Sequence, residues 1–464
     1  MIARRLGSPL CHAIQISWLV PILCLALIEN AFPQGVSGQV ISSDNDRGNT
    51  SNAPLILTLQ DALARARKVN PEFRAALTAL GLAKEDRVQG RAALLPSLNA
   101  ETQFLYTQGN GTSTGRFIAA NGVHEYVSEG NLHQALSLEN LAEYRRTRAA
   151  EAVAKARSEL AARGLVATVV QAYYALIVDE RKYATAQRAA SEAQHFLDIT
   201  EKLEHGGEVA HSDVIKAQIQ FQQQQRALEE SELGMKRNRL ELAVLVFSDF
   251  NQDFSVVDDL QTPEPLPAFP EVQAAAAREN PELRAAMASV EEATQETTVA
   301  WNGFLPALSF DYFYGIDANH FAVNQFDPSS GRNVRNLGYA ATATLALPVW
   351  NWGANRSKLK QAGLRREQAH SELSFTQRQL LSHIREFYQE AETARSALES
   401  LERSAKLAAE SSRLTTLRYQ AGEATVLEVV DAQNTLNQSR NALNDGQVRY
   451  RVALANLQTL TGAL

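Results

Sequence analysis

Proline placement constrains this chain more than any other feature. The sequence holds 14 prolines, yet none lies between residues 97 and 262 and none from 349 to the end. A proline inside a helix costs about 3 kcal/mol and removes a backbone donor, so stretches this long without one can run as unbroken helix. Both are dense in Ala, Leu, Glu, Gln and Arg, the strong helix formers. Residues 142–202 as one helix would be about 90 Å long at 1.5 Å per residue, which exceeds any globular core. Gly206-Gly207 then breaks the run and a partner helix follows. A similar pair flanks Gly422, so each half of the chain reads as a long helical hairpin with its tip near 205–213 or 420–428.

The halves repeat. Asn70-Pro71-Glu72 recurs as Asn280-Pro281-Glu282, and Leu95-Pro96-Ser97 recurs as Leu305-Pro306-Ala307, each 210 residues later. The offset then drifts to 215, where Gly207-Glu208 matches Gly422-Glu423 and Ala217-Gln218 matches Ala432-Gln433. Pro263, Pro265, Pro267 and Pro270 read as an extended linker over 263–270. The expected organisation is a first repeat at 57–262 and a second at 271–464, preceded by a flexible segment at 39–56.

Hydrophobic period separates the helices from four strands. Val429, Leu436, Leu443, Tyr450 and Leu457 are spaced by seven, and Ala432, Ser439, Gly446, Ala453 and Leu460 fall three residues after each. Val214, Phe221, Leu228, Met235 and Leu242, with Ala217, Gln224, Ser231, Asn238 and Leu245, repeat the register. A sustained period of about 3.5 is the left-handed coiled-coil signature. Near 97–108, 307–316 and 336–348 the period changes to two, and a weaker fourth segment lies at 127–138. About ten residues with one apolar face and aromatics near the ends suit a strand between lipid and a wet lumen, although a soluble two-sided sheet alternates likewise. Four strands cannot close a membrane barrel, whose smallest form has about eight, so several chains must contribute. Polar loops join the strand pairs at 109–122 and 317–335; the glycines of the first lack the dinucleotide spacing.

The N-terminus carries an export address at 1–38. Arg4 and Arg5 precede an apolar stretch from Ile14 to Ile28, and small residues follow at Val36, Ser37 and Gly38. A retained membrane helix competes with this reading, but Pro21 interrupts the run and Glu29 ends it. Cys11 and Cys24 are the only cysteines, so cleavage near Gly38 removes every thiol and excludes thiol catalysis and thiolate metal sites. Beyond residue 40 no run of about 18 apolar residues stands out, so a membrane would be crossed as strands. The balance of 45 basic to 52 acidic residues, net −7, argues against a nucleic-acid partner. No zinc-protease, nucleophile-elbow or phosphate-loop pattern occurs, so no enzymatic activity and no cofactor is expected.

The duplicated Asn-Pro-Glu, the Leu-Pro entry into strands, the tip glycines followed six residues later by an acidic residue and Val, and the closing Leu460-Thr461-Gly462 carry a resemblance. They resemble the TolC family of outer membrane efflux proteins over essentially the whole chain after the signal. The resemblance implies a mainly α fold with a small β part. Long antiparallel coiled-coil hairpins form an α-barrel, and four strands per chain build a 12-stranded β-barrel in a homotrimer, here with an internal two-fold repeat. It implies the outer membrane channel of a tripartite efflux or type I secretion system, set in outer membrane lipid with a long periplasmic extension. A periplasmic adaptor and an inner membrane pump of RND or ABC type would dock at the hairpin tips marked by Gly207 and Gly422. A periplasmic coiled-coil adaptor or scaffold without a barrel is the alternative reading.

The resemblance also implies site residues. Tyr419 matches the family's tip tyrosine, Ser212 and Asp213 its polar partners in the neighbouring hairpin, and Glu428 and Asp431 the carboxylates of the periplasmic aperture. Threefold symmetry would gather six carboxylates into a narrow ring that raises local cation concentration. Solvated first-turn charges are the plainer reading of Glu428 and Asp431. The family's basic tip residue falls at Ala424, and Tyr144 falls where Gly353 ends the matching strand, two departures from the pattern. His205 and His211 flank the first tip; a metal or pH role would need an imidazole ring that the second half does not repeat, so no metal site is expected.

Overall fold

A computed structural model of the chain describes residues 55–106, 124–260, 264–327 and 330–462. The signal segment, both cysteines, the loop at 109–122 and Pro263 lie outside the described residues. Among the described residues are eight helices: α1 (Leu59–Val69), α2 (Pro71–Ala92), α3 (Leu138–His205), α4 (His211–Val246), α5 (Phe269–Glu279), α6 (Pro281–Asn302), α7 (Ala354–Gln420) and α8 (Val426–Thr461). Eight strands complete them: β1 (Leu55–Leu57), β2 (Ser97–Tyr106), β3 (His124–Leu136), β4 (Phe254–Val256), β5 (Ala307–Ala318), β6 (Asn324–Asp327), β7 (Arg332–Arg335) and β8 (Leu337–Ala346). The chain is mainly helical with a small sheet part.

Helix lengths pair across the halves: α1 and α5 have 11 residues, α2 and α6 have 22, α4 and α8 have 36, and α3 and α7 have 68 and 67. The repeated Asn-Pro-Glu is a stop-and-restart device. Asn70 ends α1 and caps α2, accepting from the Phe73 N–H at 2.8 Å, while Pro71 starts a helix whose first N–H groups have no partner in any case. Asn280 does the same for α5 and α6, accepting from Leu283 at 2.9 Å.

The helices form a wall one helix thick. At one level α2, α3, α6 and α7 lie side by side; at the other, α4, α3, α8 and α7 do. The seven-residue seams of α4 and α8 are its inward positions, buried or half-buried from Val214 to Leu245 and from Val429 to Leu460. Small seam residues let backbones approach: a Cβ on Gly446 would stand 2.5 Å from a methyl of Leu401 on α7. The inner helix α3 contains a stretch apolar enough by composition to cross a membrane, but its middle packs instead into the largest core. That core joins Val169, Tyr173, Leu176 and Ile177 to α1, to Leu242 of α4 and to Leu57 and Phe254 of the small β1–β4 sheet.

The parallel β1–β4 pairing, Leu55 to Phe254 through Leu57 to Val256, corrects the expected flexible segment at 39–56, whose last two residues are strand. Tyr173 ties this sheet to α3. Its hydroxyl donates to the Val257 carbonyl at 2.8 Å, lies 3.1 Å from the Leu57 carbonyl and accepts the Val257 N–H at 3.1 Å. Burial pushes this phenol up to about 12. The proline linker is also partly structured. Pro270 lies in the first turn of α5, and the Glu264 carbonyl accepts from the Tyr450 hydroxyl at 2.5 Å.

The four long strands make one antiparallel sheet in the order β2-β3-β5-β8. β3, the weakest segment by pattern, is the longest at 13 residues and pairs on both sides. Residues 317–335 are not plain loop, since β5 runs on to Ala318 and β6 and β7 form a short hairpin. Replacing Tyr173 with Phe should cost about 1–2 kcal/mol, because it strips a partner from buried backbone groups. Denaturant unfolding followed by circular dichroism should show a lower midpoint at unchanged slope.

Candidate functional site

The hairpin tips are built alike. α3 ends at Gly206, and Gly207 takes φ 79° so that the Glu208 N–H reaches back to the Leu203 carbonyl at 2.9 Å. α7 ends at Ala421, Gly422 takes φ 75°, and Glu423 bonds Arg418 at 2.8 Å. Both are Schellman endings, which need a left-handed residue and therefore favour glycine. The valines that follow, Val214 and Val429, are buried in a shared tip core with Phe196, Leu197, Ala217, Tyr419 and Val426. The spacing from glycine through acidic residue to valine thus encodes turn, first helical turn and core contact in order.

Tyr419 is 4% exposed, edge-on to Phe196 with ring centres 5.1 Å apart. Its hydroxyl donates to Thr200 Oγ1 at 3.4 Å, so within one chain its partner is a buried threonine of α3. Burial raises the phenol pKa; the bond to Thr200 opposes this and the nearby Asp213 charge adds to it. Asp213 accepts from Lys216 at 3.1 Å, and Ser212 beside it is exposed.

Glu428 and Asp431 stand three residues apart on the exposed side of α8. Glu428 closes a capping box: its carboxylate accepts from the Thr425 N–H at 3.2 Å and hydroxyl at 3.1 Å, while Thr425 accepts from the Glu428 N–H at 3.3 Å. These bonds, first the one to the Thr425 backbone, hold the Glu428 carboxyl below its ordinary value, with Arg418 adding a smaller pull. Arg418 is the tip contact that sequence reasoning missed. Position 424 is the half-buried Ala424 against the tip core, yet Arg418 enters the same turn from α7, bonding the Glu423 carbonyl at 2.9 Å with a guanidinium nitrogen 3.7 Å from Glu428. The histidines are engaged locally: His205 with the Glu201 carbonyl and His211 with the Glu204 carboxylate, both at 2.7 Å. Among the described residues no group of three or more His, Cys, Asp or Glu is placed to hold a metal ion.

At the other end the sheet has two chemically distinct faces. Leu98, Phe104, Leu132, Leu308, Phe310, Tyr312, Tyr314, Tyr339 and Leu345 project from one face and are exposed. Asn99, Glu101, Gln103, Glu129, Asn131, Asp311, Thr342 and Thr344 line the other, where His133 meets Asp311 at 2.6 Å. Gly315 sits under Glu129: a Cβ there would lie 2.4 Å from the Glu129 Cα.

The sequence model of the outer membrane efflux protein family matches residues 62–246 and again 272–463. The chain belongs to the outer membrane efflux protein family. It is similar to the outer membrane protein TolC of Escherichia coli, 24% identical over 88% of this chain and 82% of that protein. It is similar to the alkaline protease secretion protein AprF of Pseudomonas aeruginosa, 24% identical over 97% of this chain and 88% of that one. Among solved structures, the CmeC outer membrane channel of Campylobacter jejuni matches with a TM-score of 0.75 at 16% identity, covering 87% of this chain and 85% of that one. VceC of Vibrio cholerae matches with a TM-score of 0.73 at 19% identity, over 87% and 96%. This outer membrane efflux protein is therefore a channel of the outer membrane with a periplasmic extension, and the tips are the far end of that extension from the sheet.

At Gly422 an added Cβ would meet nothing within 4 Å, so replacing this glycine of the efflux protein strains only the backbone. Gly422→Ala should cost about 1–2 kcal/mol and Gly422→Asn less, since asparagine tolerates the left-handed region. Amide exchange should speed up at residues 418–430 and stay unchanged in the β1–β4 core.

Proposed function

We propose that three copies of this chain close into one continuous duct, a 12-stranded β-barrel in the outer membrane set on an α-helical tunnel in the periplasm. The supporting observation is where the apolar side chains are left uncovered. The inner helices α3 and α8 bury most of their large residues, while each edge helix leaves several of its own open: Leu77 and Leu82 of α2, Leu233 and Leu240 of α4, and Phe375, Leu407 and Leu414 of α7 are exposed. β2 and β8 likewise have unpaired edges. Edges of both layers facing the same two sides suit cyclic closure with copies of the same chain, which leaves no edge in either barrel.

The duct has no catalytic role in this reading; a pump supplies the driving force. The halves, 57–262 and 271–464, act as a structural repeat after removal of a signal peptide at 1–38, and the segment at 263–270 joins them. The tips at Gly207 and Gly422 dock a periplasmic adaptor and, through it, an inner membrane pump, RND or ABC in type. The family named for efflux and the relative named for protease secretion support a tripartite system of either kind. Tyr419, Ser212 and Asp213 hold the tip closed across neighbouring hairpins. Glu428 and Asp431 ring the aperture, and Arg418 stands in for the base absent at Ala424.

The test is ion conduction by the purified protein in a planar bilayer. A narrow aperture should give small, cation-selective conductance that divalent or trivalent cations block from the periplasmic side. Glu428→Ala with Asp431→Ala should weaken that block at least about tenfold, the loss of about 1.4 kcal/mol of attraction. Unchanged block removes the pair from the aperture, and absence of conduction removes the duct. Because Glu428 is held below its ordinary 4.5, it stays charged as pH falls toward that value. Block should accordingly persist to about pH 4.5 and fade below it.

A further inference from the structure

The two halves leave the sheet differently. β3 ends at Leu136 and α3 begins at Leu138, with only the capping Ser137 between them. β8 ends at Ala346 but α7 begins at Ala354, so a seven-residue strap, 347–353, intervenes. Its apolar side chains are almost wholly uncovered: Val349 is 88% exposed, Trp350 76% and Trp352 90%. Leu347 and Val349 continue the alternation of Tyr339 and Leu345 on the apolar face of the sheet. Trp352 is the single non-glycine residue with positive φ among the described residues, at 54°, followed by Gly353 at 84°. A bulky side chain held in that region normally has a packing reason. Its ring meets Trp350 edge-on, with centres 5.8 Å apart, and among the described residues it is left 90% exposed.

The described tryptophans share one level of the molecule. The sequence has four. Trp18 lies outside the described residues, and the other three are Trp350, Trp352 and Trp301, which is exposed at the end of α6 beside Phe304. Asn355 at the start of α7 donates to the Gly303 carbonyl at 2.6 Å, and Asn302 donates to the Leu138 carbonyl at 2.9 Å, so the strap, the α6–β5 turn and the start of α3 are tied together. Just beyond, Arg356 and Lys360, one turn apart on the same side of α7, are exposed and have no ion pair among the described residues, with no acidic residue in the first turn; Lys358 lies on the other side, lining a pocket with Glu139 and Glu296.

We propose that the strap and the first two turns of α7 form a lipid-docking collar: the tryptophans seat in the glycerol region of the periplasmic leaflet, and Arg356 and Lys360 take anionic phospholipid headgroups. Two features select this occupant. The strap is continuous with the lipid-facing side of the sheet, and tryptophan is the side chain whose apolar body and polar N–H suit the membrane interface. The cations of Arg356 and Lys360 complement anionic phosphate, and each contributes about fivefold to partitioning near an anionic surface. Only the second half carries the strap, so a trimer would hold three such collars. The inference rests on the membrane-spanning reading of the sheet.

The test uses the full-length mature protein carrying W301F, so that emission reports Trp350 and Trp352. It is reconstituted into phosphatidylethanolamine vesicles containing either phosphatidylglycerol or phosphatidylcholine, each brominated near the carbonyl end of the acyl chain. Quenching should be several-fold stronger with the anionic brominated lipid. R356Q/K360Q should bring the two lipids to equal quenching while leaving quenching itself in place. Conduction by the same vesicles separates the failures. Conducting channels whose tryptophans are not quenched would place the strap against a second copy of the chain or in water and overturn the collar. Equal quenching by both lipids in the W301F protein would overturn the anionic headgroup site. Vesicles that neither conduct nor quench would overturn the membrane-spanning reading beneath it.

Discussion

A wall one helix thick has no interior of its own. Away from the core that α3 shares with α1 and the β1–β4 sheet, each helix covers apolar surface only against the neighbour on either side, and the helices at the two ends have one neighbour each. In this chain α3 and α8 have neighbours on both sides and bury Phe196, Leu197, Val429 and Leu436, while α2, α4 and α7 leave leucines and Phe375 in the open. The four-stranded sheet repeats the situation with free edges at β2 and β8. Everything proposed for the molecule follows from completing those edges. A barrel needs no edge strands, a tunnel needs no edge helices, and the same rotation satisfies both.

Local devices in the sequence were legible because each is written in adjacent residues. The proline gaps contain the long helices α3, α4, α7 and α8, and the seven-residue spacing picks out the seam positions of α4 and α8. What escaped came from residues distant in sequence. β1 pairs with β4 across about 200 residues, and nothing in Leu55-Ile56-Leu57 alone announces a strand. β3 lacks clear alternation because Ser128 and Gly130 sit on its apolar face; pairing with β2 and β5 defines it.

The tip shows the same division. Gly207, Gly422, Val214 and Val429 can be read from their spacing, and the structure gives each a physical task. Thr200 could not be found that way, since it meets Tyr419 from 219 residues away. The family's basic tip residue falls at Ala424, yet Arg418 reaches the same turn from the opposite helix, and only the folded turn reveals it. The capping box of Thr425 and Glu428 shows that one carboxylate can end a helix and still stand on an exposed face, so the plain and the functional readings of Glu428 are compatible.

The central claim is that the exposed edges of α2, α4 and α7 meet copies of the same chain. The mass of the purified mature protein in mild detergent, measured by native mass spectrometry, tests it most directly. The account predicts a single species of three chains that survives dilution. A stable, folded, single-chain species with its helices intact would contradict it.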